Sequence, residues 1–271
     1  CFDAVEVDDL SYITTIGVDK GIADKWRFSF QVATMAPGSE EQSSGNPGGI
    51  WGNVQYTTLS IDSASFFQAI DEIDTNLARS LNFMHNKYII ISREVAEKGT
   101  FAEVIAPIIR FREVRRTTNV IVSTCTAEHL IEALKPRVGI SMPKLQEGLI
   151  KQSEETGFFP SVDLSDYYSS LKSSSVQPIA AMGGVNDFRH FPKASDGEKD
   201  MPQLVLGERH AGELPRKGGN KVELFGAAIF DGDRMVYELN GYKARVMLMM
   251  RGEYKRGAFS TADPLKPDQE I

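Results

Sequence analysis

The residues of this 271-residue chain that could hold a metal or attack a substrate are four histidines, two cysteines and a few paired acids. A zinc site needs ligands whose spacing brings them together, as HExxH does on one helix face. His85, His129, His190 and His210 lie far apart and show no such spacing, so no metal site is predicted. Cys125 and His129 stand four residues apart, which on a helix would set a thiol beside a base. Cys125, however, closes the apolar run NVIVSTC, and its thiol reads as buried and inert. Asp231 and Asp233 have D-x-D spacing but lack the third ligand and the following Glu of a calcium loop. A hairpin turn accounts for them. Asp8-Asp9 and the Asp71, Asp74 pair add no further signal of acid–base chemistry. The chain contains no GxSxG elbow, no Walker loop and no GxGxxG between a strand and a helix. Gly183-Gly184 and Gly218-Gly219 read as loop glycines. No catalytic residue, cofactor or metal is therefore predicted, and the chain is read as a non-enzyme.

Composition agrees with a folded protein of moderate size. Hydrophobic residues make up 41% and charged residues 25%, enough for one large domain or two small ones. The net charge of −7 argues against a general affinity for nucleic acid, which needs a clustered basic face. The densest basic run, Arg110 to Arg116, is interrupted by Glu113 and reads as a solvated helix end rather than an anion site. No stretch reaches the roughly 18 consecutive apolar residues of a membrane-spanning helix. Two cysteines are too few for a disulfide framework. Cys1 stands out by position: a chain that starts at Cys looks like a mature bacterial lipoprotein cut just before its lipid-bearing residue. Two or more acyl chains there, at about 0.8 kcal/mol per buried CH₂, would anchor the protein stably without a spanning helix.

The elements that would carry these residues alternate in type. Tyr12–Asp19 and Trp26–Met35 read as a hairpin, 37–52 as an exposed loop, and Val54–Ile61 as a third strand. Asp62 or Ser63 is placed to cap a helix running to about Leu81. Lys87–Ser92 and Asn119–Ser123 are short apolar strands suited to burial on both faces, with a helix over Phe101 to about Glu113 between them and another over Thr126–Leu134. From Ser141 helices predominate, and Gln177–Met182 is read as entering a second sheet. A long polar loop, 183–220, follows. The run Val222 to Glu253 is strand, turn and strand, then a helix capped by Asn240 and stopped at Gly252. Its Met249 and Met250 read as core packing, with an adaptable interaction surface as the alternative. The fold class is α/β (α+β), mixed sheets flanked by helices, in two small modules. They cover 1–136 and 137–255, with 256–271 a tail or a linker to an absent C-terminal domain.

Three stretches, in order, resemble the Ger(x)C family, the C subunits of GerA-type spore germinant receptors. Cys1-Phe2-Asp3 with Ile16-Gly17-Val18-Asp19-Lys20 is similar to the family's mature start, with Phe2 in place of the usual Trp. Phe111-Arg112-Glu113-Val114-Arg115-Arg116-Thr117, leading into Asn119–Ser123, is similar to its Arg-rich helix-to-strand junction. Phe225–Phe230 through Asn240-Gly241 to Arg251-Gly252 is similar to its strand pair leading through Leu-Asn-Gly into a helix. The resemblance implies a diacylglyceryl-modified Cys1, tethering on the outer face of the inner spore membrane, and assembly with the membrane A and B subunits. It implies a non-enzymatic role in the response to nutrient germinants and carries over no ligand site. The alternative is an extracytoplasmic solute-binding lipoprotein, against which the chain lacks an evident pair of similar lobes.

Overall fold

The computed structural model describes residues 10–35, 54–77, 79–136, 140–187, 209–259, 262–263 and 266–270. Nine strands form one mixed sheet. Its first three are β1 (Leu10–Lys20), β2 (Trp26–Met35) and β3 (Val54–Ser63), an antiparallel meander in which β2 pairs with both neighbours. Then come β4 (Ser80–Asn82), β5 (Tyr88–Ser92) and β6 (Asn119–Ser123), and later β7 (Ile179–Val185), β8 (Val222–Asp231) and β9 (Arg234–Leu239). The spatial order is β3-β2-β1-β5-β6-β7-β8-β9, with β4 paired to the start of β1. Strands β1, β5, β6 and β7 run parallel at the centre, and antiparallel hairpins close both sides.

The short central strands β5 and β6 are mostly apolar because both of their faces are covered, as parallel strands require. Alternation along each strand divides the core in two. Ile89 and Ile91 of β5 and Val120 and Val122 of β6 enter the larger core. Tyr88, Ile90 and Ile121 enter the smaller one. Over the larger core lie α1 (Phe66–Asp74), α2 (Arg93–Lys98), α3 (Phe101–Arg110) and α6 (Leu164–Lys172), through buried residues such as Phe66, Val95, Phe101 and Tyr167. Over the smaller lie α4 (Ala127–Ala133) and α5 (Met142–Thr156). Helix α7 (Gly241–Met250) packs against β8. A buried polar network pins the second layer. Gln31 donates to the carbonyls of Ile131 and Leu134, Gln146 donates to the Thr15 hydroxyl at 2.7 Å, and Tyr88 donates to the Gln146 carbonyl at 2.6 Å.

Several expectations need correction. Gln177–Met182 does not enter a second sheet: β7 pairs in parallel with β6, so the anticipated boundary at 136/137 does not fall between sheets. Both stretches share the larger core, and joining the strands buries the edges that two separate modules would each expose. The helix expected from Asp62 or Ser63 starts later. Both residues complete β3, and Ser65 caps α1 by accepting from the Gln68 amide; the helix ends at Asp74, leaving 80–82 to pair as β4. The stretch from 257 onward carries a strand pair, β10 (Ala262–Asp263) with β11 (Lys266–Glu270). In α7 Tyr242 and Met247 pack on the core, while Met249 and Met250 are exposed.

Candidate functional site

Two of the sequence motifs prove to be joints of the fold. Gly17 in β1 lies under α4, where an added Cβ would come within 2.6 Å of the Ile131 side chain. Two residues on, the buried Asp19 carboxylate accepts from the amides of Ala127 at 2.8 Å and Glu128 at 3.0 Å, satisfying the first turn of α4. Burial pushes the Asp19 carboxyl above its ordinary range in spite of these bonds. In the β8 motif, Gly226 has φ +96°, and a Cβ there would lie 2.4 Å from the Leu239 carbonyl oxygen. Asn240 caps α7 through the Lys243 amide as its sequence position predicts. Inside α7, the buried Arg245 has its guanidinium 3.9 Å from the Phe158 ring centroid and donates to the carbonyls of Thr156 and Ala258. It holds the segment after the helix against the end of α5.

The third motif builds a cleft. Helix α3 ends at Arg110 because Phe111 turns to extended backbone. The turn that follows is closed by Val114 N–H to Phe111 and Thr118 N–H to Arg115. Its far side is fixed to the first turn of α6, whose Leu164 and Ser165 amides donate to the carbonyls of Thr118 and Arg116 at 2.8 and 3.1 Å. A cleft of about 870 Å³ opens between these elements. Its wall carries Arg110, Arg112, Arg115 and Arg116, with Ser165, Tyr168 and Ser169 of α6 opposite and Phe111 and Val114 among the apolar residues. The four arginines are exposed, and none forms an ion pair with a carboxylate among the described residues. Glu113, which breaks the run in sequence, is not part of the wall; it accepts from the Phe83 amide at 3.3 Å. The run's arginines are exposed at the end of α3 and along the turn after it, as a solvated helix end would be, and they also line the cleft. The nearby His85, edge-on to Tyr12, is held below its ordinary pKa by burial and by the positive charges of Arg115 and Lys87.

The residues weighed for chemistry stay apart. Cys125 bonds with the Ser123 hydroxyl and the Thr126 carbonyl, and burial pushes its thiol up. His129 shares no bond with it; the His129 amide donates to the Thr126 cap. His210 pairs with Glu238 at 2.8 Å, and Glu238 also accepts from Arg93. Among the described residues no three His, Cys, Asp or Glu side chains cluster to hold a metal, and no helix is long and apolar enough to cross a membrane. Cys1, His190, the loop at 37–52 and most of 183–220 lie outside the described residues.

Taken together these features define a mixed α/β protein with helices on both faces of one sheet and an arginine-lined cleft at one helix junction. The family profile described as the spore germination protein N-terminal domain matches residues 3–184. The one described as spore germination B3/GerAC-like, C-terminal, matches 225–271. The chain belongs to the Ger(x)C family, that of the germinant-receptor C subunits. It is 22% identical over 262 residues to a chain named as spore germination protein YfkR of Bacillus subtilis (strain 168), covering 96% of this chain and 59% of that one. It is 22% identical over 189 residues to spore germination protein KC of the same organism, covering 66% of this chain and 44% of the relative. The chain thus spans 44% to 59% of the length of these relatives. The crystal structure of the GerBC protein aligns with 95% of this chain and 62% of its own, at 14% identity and a TM-score of 0.40.

Proposed function

We propose that the protein is a non-enzymatic lipoprotein subunit of a spore nutrient germinant receptor, working with membrane A and B subunits from the outer face of the inner spore membrane. The observation that carries the reading is the match of both family profiles, in order, along the chain. In this reading a diacylglyceryl group on Cys1 tethers the protein, and the folded part acts through its surfaces. Tethering turns docking into a local event at high effective concentration, so weak interfaces with the membrane partners suffice.

The test is a Cys1→Ala replacement in spores. The reading expects the protein to leave the membrane fraction, nutrient germination to fail, and the circular dichroism of the purified chain to stay unchanged. Mass spectrometry of the native N-terminal peptide should show the added acyl mass. Normal germination of Cys1→Ala spores, or a native Cys1 without lipid, would sink the tethered-subunit reading.

A further inference from the structure

We propose that the arginine cleft is a second, non-covalent membrane contact, at which lipid phosphates of an anionic bilayer surface meet Arg110, Arg112, Arg115 and Arg116. In a chain of net charge −7, four exposed guanidinium groups around one cleft without a carboxylate partner among the described residues mark a local excess of positive charge. The intervening Glu113 bonds the Phe83 amide and lies outside the cleft wall, and its one negative charge leaves the four arginines in excess. Guanidinium forks suit phosphate oxygens in bidentate geometry, and the hydroxyls of Ser165, Tyr168 and Ser169 supply further donors. The frame is fixed, because the turn is bonded to α6 through the Thr118 and Arg116 carbonyls.

Apolar side chains beside the charges favour a bilayer over a soluble anion. Phe67 is 45% exposed and lies edge-on to the cleft residue Phe111 at 5.7 Å between ring centroids. Met84 is 52% exposed and follows Phe83, whose ring meets Phe111 at 5.3 Å. Cations flanked by an exposed aromatic and a methionine match a bilayer surface, where phosphates lie outside the acyl region. A free phosphate would engage the arginines and leave Phe67 and Met84 in water. The competing occupant, an acidic protein segment, is separated by experiment. The proposal rests on the functional reading only in placing the protein beside a membrane, and its test uses unlipidated protein, so either idea can fail alone.

The experiment is co-sedimentation of the chain carrying Cys1→Ser with vesicles of phosphatidylglycerol and phosphatidylcholine, or of phosphatidylcholine alone. Binding is expected only to the anionic vesicles and should fall steeply from about 0.05 to 0.5 M salt as the charges are screened. Arg112→Gln with Arg115→Gln should lower the partition coefficient about 25-fold, on the order of fivefold per arginine. Phe67→Ser with Met84→Ser should lower it at every salt concentration without changing the salt dependence. Lys20→Gln with Lys98→Gln, on another part of the surface, should leave it unchanged. Arg110→Gln with Arg116→Gln serves if the first pair alters the thermal melt. No binding to anionic vesicles at low salt, binding indifferent to both arginine pairs, or capture by polyglutamate without vesicle binding would each overturn the proposal.

Discussion

Replacing Asp62 with Asn should destabilise the protein at neutral pH and have progressively less effect in acid. At the end of β3, the Asp62 carboxylate accepts from the amides of Ile22 at 2.7 Å and Ala23 at 2.6 Å, and from Arg27 Nε at 2.7 Å. It ties the β1–β2 turn to the edge strand. The Arg27 guanidinium and the two amides hold its pKa down from 3.8 to about 2. At about 1.36 kcal/mol per pH unit, that gap is worth about 2.4 kcal/mol. Asp62 is only 8% exposed, but Arg27 is 29% exposed and water screens the pair, which reduces the expected loss to about 1 kcal/mol. Since the folded pKa is the lower one, this stability is present above pH 3.8 and is lost as pH falls through about 2. Urea denaturation of wild type and Asp62→Asn at pH 7 and pH 2.5 measures it. Equal stability at pH 7, or a gap that persists undiminished at pH 2.5, would refute the assigned role of this carboxylate.

Two further substitutions test the joints. Asp19→Ala strips the acceptor from two amides of α4 and should cost about 2 kcal/mol in chemical denaturation; no loss would mean that water replaces the carboxylate freely. Its pH dependence has the opposite sign to that of Asp62. With a raised folded pKa, the stability contributed by protonated Asp19 is present below 3.8 and lost as pH rises through the folded value, so Asp19→Asn should gain on wild type over that interval. Gly226→Ala forces a side chain into φ +96° with its Cβ against the Leu239 carbonyl and should cost about 2 kcal/mol or more, read as a lower Tm; an unchanged Tm would show that the β8–β9 backbone yields there.

Local signals in the sequence located most strands and helices, because apolar periodicity and caps are properties of neighbours. Thr126 and Asn240 cap the helices that their positions predict, and the apolar run at 88–91 lies at the sheet centre between β1 and β6. What escaped depends on distant partners. The pairing of β6 with β7 merges two expected sheets into one, and no residue near 180 announces it. Asp62 looks like a helix cap until Arg27 and the β1–β2 turn reach it from more than thirty residues away. The role of Asp19 is invisible for the same reason, since its amide partners lie at 127 and 128. At the candidate site the charges of Arg110, Arg112, Arg115 and Arg116 were plain, but the diversion of Glu113 to the Phe83 amide was not.

The central claim, a subunit working within a spore germinant receptor, is tested most directly by affinity purification of the tagged native protein from detergent-extracted inner spore membranes, with mass spectrometry of what comes with it. The account predicts receptor A and B subunits in stoichiometric recovery. Recovery of the protein alone after mild crosslinking, from membranes that contain both subunits, would contradict it.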